Sequence, residues 1–93
     1  MTQKYAIEYT GSFKKDYKRC VRRNLDISLL KRAIILLAET GTLPQEYKAH
    51  RLSGKYRGFW ECHIQPDWLL VWQQDDKVLR LLFSRTGTHA DLF

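Results

Sequence analysis

Residues 58–85 read GFWECHIQPDWLLVWQQDDKVLRLLFSR, and this stretch decides the fold. Its apolar residues fall in short runs with a period near two, over Gly58 to Ile64, Trp68 to Gln73 and Val78 to Arg85, as strands require. Gln65-Pro66-Asp67 breaks the chain between the first two runs, and Gln74-Asp75-Asp76-Lys77 is turn-like, so the three strands should form an antiparallel meander. Upstream, Tyr5-Ala6-Ile7-Glu8-Tyr9 reads as a first strand ended by Thr10-Gly11-Ser12. Ser12 is a natural N-cap for a helix from Phe13 to about Arg23, with Phe13, Tyr17, Cys20 and Val21 on one face. Asp26 or Ser28 caps a second helix whose buried stripe is Leu30, Ala33, Ile34 and Leu37, and Gly41 closes it. The order β-α-α-β-β-β defines an α+β domain. A mostly antiparallel sheet carries a helical hairpin packed on one face, leaving the other for function.

Ninety-three residues hold one domain, 1–93, with no room for a second core. The longest apolar run, Ala33 to Ala38, is far short of the roughly 18 residues a bilayer-spanning helix needs. The start, Met1-Thr2-Gln3-Lys4-Tyr5, lacks the apolar stretch of a secretory signal, so the expected location is the cytoplasm, away from membranes. Cys20 and Cys62 sit in unrelated contexts and predict no disulfide. The formal net charge of +6 is unevenly spread. Twelve basic and four acidic residues lie between Lys14 and Arg57, a local charge of +8 that leaves −2 for the remainder. Such a balance draws a protein to polyanions or to an acidic partner. Lys14, Lys15, Lys18, Arg19, Arg22 and Arg23 crowd the first helix. Their mutual repulsion is easier to explain if RNA, such as rRNA, lies against them than if they only face solvent.

All three histidines, His50, His63 and His89, lie in the C-terminal half, in company with Asp67 and Arg85. Any one of them alone reads as an ordinary surface residue; together they suggest proton-transfer chemistry. Phe59, Glu61 and His63 share the strand face opposite Trp60, Cys62 and Ile64, so His63 points away from the apolar side. Imidazoles give and take protons near neutrality, and a pair of them with an arginine suits RNA cleavage, because RNA supplies its own 2′-hydroxyl nucleophile. Zinc is the chemical rival, but no Cys-x-x-Cys or His-Glu-x-x-His spacing occurs, and neither metal nor cofactor is expected. Glycine patterns of serine hydrolases and phosphate-binding loops are absent too. Trp68 and Trp72 share parity with Leu70 and suit the core, at least at Trp72, whereas Phe93 could stack on a base.

His50-Arg51-Leu52-Ser53-Gly54, Gly58, the run His63 to Leu70 and the end Arg85-Thr86-Gly87-Thr88-His89-Ala90-Asp91-Leu92-Phe93 closely resemble the YafQ family of bacterial type II toxins. The β-α-α-β order of the RelE/ParE superfamily precedes them. The resemblance implies a ribosome-dependent endoribonuclease, an mRNA interferase. It would cut translated mRNA and be neutralised by a cognate ribbon-helix-helix antitoxin, touching operator DNA only through that complex. It also implies catalytic positions at His50, His63, Asp67, Arg85 and His89, with Trp68 and Phe93 against the substrate. Within this set the expectation is His89 as general acid, His50 as general base, and His63 beside Arg85 on the phosphorane. Two other readings share the fold or the charge: a ParE-like inhibitor of DNA gyrase, and an RNA- or ribosome-binding module without catalysis. An inhibitor has no need of three histidines and an aspartate around an arginine.

Overall fold

The chain orders its elements as β1 (Ala6–Tyr9), α1 (Gly11–Arg22), α2 (Ile27–Thr40), β2 (His50–Arg51), β3 (Trp60–Gln65), β4 (Trp68–Asp75), β5 (Arg80–Gly87) and α3 (His89–Leu92). Single 3-10 turns at Gln45–Tyr47 and Gly54–Tyr56 flank β2. The structure, a computed structural model, describes residues 3–93; Met1 and Thr2, which the single-domain reading included, lie outside the described residues. Five strands form one sheet in the order β1-β5-β4-β3-β2. The meander β3-β4-β5 is antiparallel as its sequence pattern requires, and β1 joins it parallel to β5.

Both helices pack on one face. Phe13 and Cys20 of α1 and Leu30, Ala33, Ile34, Leu37 and Ala38 of α2 meet Cys62, Trp68, Leu70, Trp72, Leu81 and Phe83 of the sheet in one core. The stripe of α2 is the one its spacing predicts. That of α1 differs: Val21 is exposed, and Asp16, three residues after Phe13, takes a buried place. The cap also differs, because Thr10 rather than Ser12 holds the start of α1. Thr10 Oγ1 accepts the Phe13 N–H (3.0 Å) while donating to the Ser84 carbonyl (2.8 Å), so tertiary contact with β5 selects it over Ser12. Asp26 caps α2 through the Ser28 N–H, as expected.

One irregularity matters for the site. β5 pairs Phe83 with Trp72 and Arg85 with Val71, so Ser84 is an extra residue, a β-bulge. Strict alternation from Leu81 and Phe83 would bury Arg85 under the helices. The bulge instead sends Thr86 to the core and turns Arg85 to the open face.

Gly41 ends α2 with φ +76°, and Tyr5 packs directly over it: a Cβ there would sit 2.5 Å from the tyrosine oxygen. That oxygen donates to Asp76 at 2.6 Å, tying α2 to the β4-β5 turn. Gly41→Ala should therefore combine left-handed strain with a clash, costing about 2 kcal/mol. Urea denaturation should show it as a lower midpoint at unchanged slope.

Candidate active site

Sheet register assembles the site. His50 of β2 lies opposite Glu61 of β3, Glu61 opposite Val71 of β4, and Val71 opposite Arg85 of β5, one cross-strand row on the open face. The next row runs His63, Leu69, Gly87, and places His63 beside the start of α3. Strands spaced about 4.8 Å apart leave the His50 and Arg85 backbones roughly 14 Å from each other.

His63 and His89 come together, with ring centroids 6.0 Å apart. His63 Nδ1–H donates to the Pro66 carbonyl (3.2 Å), and His89 Nδ1–H donates to Asp67 Oδ1 (2.7 Å), which also accepts the His89 backbone N–H (3.1 Å). Each ring thus has its Nδ1 tied to an oxygen, leaving Nε2 for a substrate. The hydrogen bonds from His89 hold the Asp67 carboxyl below the usual carboxylate range. His50 differs. Its Nδ1–H donates to the Lys48 carbonyl (2.8 Å), and its Nε2 faces the buried Glu61 carboxylate at 3.3 Å.

Arg85 is fixed from behind by Asp16. Nε donates to Oδ2 at 2.6 Å and Nη2 to Oδ1 at 3.3 Å, and the Thr86 N–H gives Oδ2 a further bond of 3.1 Å. Asp16 is almost wholly buried, whereas the Arg85 side chain keeps 38% of its surface exposed. The bond to Asp16 raises the Arg85 pKa above its ordinary value, so the guanidinium stays charged. Asp16 is the residue the sequence reading missed: it was counted as one acid among many bases, although its i+3 spacing from Phe13 marks the buried face.

The short α3 is anchored to α1. Arg23 holds Asp91 through both guanidinium nitrogens (2.7 and 3.2 Å), and Arg19 Nη1 stands 3.6 Å from both Asp91 and Asp16. Thr88 and Asp91 close a capping box over the same turn. A Cβ on Gly87 would meet the Asp91 carboxylate at 2.8 Å, so only glycine admits this packing. Arg19 and Arg23 make ion pairs with Asp91 while their side chains keep 35% and 44% of their surface exposed; among the described residues Lys14, Lys15, Lys18 and Arg22 make no ion pair. One expectation is corrected here. Trp68 is 2% exposed and donates its Nε1–H to Thr86 Oγ1 at 3.0 Å, so it belongs to the core and offers no face to a substrate.

Phe93 is exposed and meets Tyr56 edge to face, centroids 5.0 Å apart. With Phe59, Val71, Arg85 and Leu92 they line a cleft of about 330 Å³ on the open face. Thiol chemistry has no place in it, since burial pushes Cys62 up to about 12 and raises Cys20 as well. Among the described residues no three His, Cys, Asp or Glu side chains converge to share a metal ion. Among the described residues no helix is long and apolar enough to cross a membrane.

The chain is thus an α+β domain with two helices packed on one face of a five-stranded sheet and with His63, His89 and Arg85 brought near one another by β3, β5 and α3. Residues 5–93 match the family described as the bacterial toxin of type II toxin–antitoxin systems, YafQ, and the chain belongs to that family. It is 46% identical over 88 residues to the mRNA interferase toxin YafQ of Escherichia coli K12, covering 94% of each chain. It superposes on the toxin in the crystal structure of the E. coli DinJ–YafQ toxin–antitoxin complex with a TM-score of 0.88 at 41% identity, covering 97% of this chain and 98% of that one. A metal-bound toxin from Helicobacter pylori is similar at 38% identity and TM-score 0.87, over 96% and 99% of the two chains.

The Arg23 bond, seconded by the Thr88 N–H, depresses the Asp91 pKa well below its unfolded value. A carboxylate with a lowered folded pKa stabilises fully above the unfolded value of about 3.9 and loses that contribution as the pH falls below it. Between about pH 5 and pH 2 the wild-type protein should therefore lose more stability than Asp91→Asn, the two curves converging at the acid end. Thermal unfolding across that range checks it.

Proposed function

We propose that this protein is an mRNA interferase, an endoribonuclease toxin that cuts translated mRNA on the ribosome in the cytoplasm. The observation that carries the reading is the His63–His89 pair, two imidazoles 6.0 Å apart with each Nδ1 bonded and, among the described residues, neither Nε2 engaged by a hydrogen bond. His63 Nε2 takes the proton of the RNA 2′-hydroxyl, and the 2′-oxygen attacks the adjacent phosphorus. His89, held by Asp67, gives its Nε2 proton to the departing 5′-oxygen, leaving a 2′,3′-cyclic phosphate and a 5′-hydroxyl. Arg85, fixed by Asp16, meets the negative charge on the phosphorane. The contact of His50 Nε2 with Glu61 at 3.3 Å supports taking His63 in place of His50 as the base. His50 stays in the row with Arg85, with Glu61 between them. Phe93 stacks on a base. The relatives named as mRNA interferases favour this over gyrase inhibition.

The partners follow from the same reading. A cognate ribbon-helix-helix antitoxin neutralises the toxin and brings operator DNA into contact with the complex. Ribosomal RNA meets the face formed by Lys14, Lys15, Lys18 and Arg22, each phosphate contact adding to the salt dependence of association.

In translating extracts, mRNA 5′ ends should map within open reading frames and follow the frame; intact mRNA accompanied by gyrase-dependent DNA breaks would overturn the assignment. His89→Ala should slow cleavage about 10²- to 10⁴-fold. A substrate with a 5′-bridging sulfur, which leaves without protonation, should restore His89→Ala but not His63→Ala. Chelators should leave the rate unchanged, and a 2′-deoxy nucleotide 5′ to the scissile bond should abolish it.

Charge reversal separates the two groups of cations on α1. At Lys14, Lys15, Lys18 and Arg22 it should weaken ribosome binding and flatten its salt dependence without lowering stability. At Arg19 and Arg23 it should lower stability first. Equal effects of both sets on unfolding would contradict the division.

A further inference from the structure

The open face continues past Arg85, away from the histidines. Two residues along β4 from Val71, which faces Arg85, stands Gln73, paired in register with Leu82. Two strand residues span about 6.8 Å, so this row lies about one nucleotide step beyond the arginine. The cleft of about 330 Å³ widens here between rings supplied by three separate segments: Tyr56 from the 3-10 turn, Phe59 ahead of β3, and Phe93 after α3. Pockets for small ligands begin at roughly 300 Å³, enough for one base. Among its lining residues Arg85 alone is cationic, and it stands at the end of the cleft nearer the histidines, so no cation is left at this end for a second phosphate. The Gln73 carboxamide is exposed on its wall and, among the described residues, takes part in no side-chain hydrogen bond. Thr10 Oγ1 donates to the Ser84 carbonyl and Ser84 Oγ to the Leu82 carbonyl, while the Ser12 and Tyr56 hydroxyls, which also line the cleft, offer a single O–H each and not the paired donor and acceptor of the carboxamide.

We infer that this end of the cleft is a nucleobase subsite for the nucleotide flanking the scissile bond, with Gln73 as its sequence reader. The inference rests on the ribonuclease reading and gives it a specificity-determining residue. A base lying against the surface formed by Tyr56, Phe59 and Phe93 meets aromatic carbon regardless of its identity, so the rings give affinity without choice. A carboxamide carries one donor and one acceptor side by side and matches a base edge presenting the complementary pair. Discrimination therefore sits in Gln73, and its loss should relax the choice of base while leaving proton transfer at His63 and His89 untouched.

The experiment maps cleavage sites by 5′-end sequencing on programmed ribosomes, for wild type, Gln73→Leu and Gln73→Glu. Gln73 is exposed and bonds to no other side chain, so both variants should unfold at the wild-type temperature and bind ribosomes with wild-type affinity. Gln73→Leu should flatten the base bias at one position beside the cut, by about tenfold or more, chiefly by slowing cleavage at the preferred base. Gln73→Glu, which keeps the shape but removes the donor, should shift the bias toward a different base at that same position. Base distributions identical to wild type in both variants would overturn the subsite alone. Wild-type protein that leaves mRNA intact would overturn the ribonuclease reading and the subsite with it.

Discussion

The pairing of Asp16 with Arg85 is the constraint on which the site is built. A carboxylate held almost wholly out of water is tolerated only when its oxygens are bonded to charge or to N–H groups. Asp16 meets that condition through Arg85, the Thr86 N–H and the nearby Arg19. Each partner comes from a defined place. Arg85 reaches it because the bulge at Ser84 turns the side chain to the open face, and Thr86 because its backbone lies at the same turn. If the bulge were straightened, Arg85 would be driven under the helices and Asp16 would be left buried without its cation. The fold of β5 and the charge in the cleft are one arrangement seen from two sides.

The same helix holds the C-terminal segment in place. Four residues of helix cannot persist in water alone, because nucleation costs more than so few bonds return. Arg23 and Arg19 supply what α3 lacks, and His89 inherits its position from them through Asp91. The cations of α1 are thus of two kinds. The two on the α3 side are tied to Asp91, and the four others make no ion pair among the described residues. A count of basic residues in the sequence sees a single patch.

Much of the fold could be read directly. Period-two runs gave the meander, and the α2 stripe and Gly41 followed from helical spacing and the need for a left-handed residue. What escaped depends on long-range contact. Ser12 and Thr10 are equal candidates locally; a carbonyl 74 residues away decides between them. Trp68 resembled a substrate residue by its neighbours in sequence, but its ring turns inward to Thr86. His63, His89 and Asp67 were legible as a set because loops and strand ends concentrate them. Their pairing was not, since the partner of Asp67 depends on where β5 delivers α3. The rows also placed Glu61 against His50, a contact no spacing rule announces.

The parallel pairing of β1 with β5 has a consequence for how the molecule is made. Ala6 is matched to Arg80, so the strand synthesised early waits for the one synthesised late before the sheet can close. Such a contact closes a long loop and slows folding relative to the local helix pair that precedes it. Arg85, His89 and Phe93 all follow the start of β5. While that part of the chain is still within the exit tunnel, the nascent molecule has neither a finished sheet nor an assembled cleft. The cleft is complete only once that part of the chain has emerged, so its assembly is the last step of folding rather than the first.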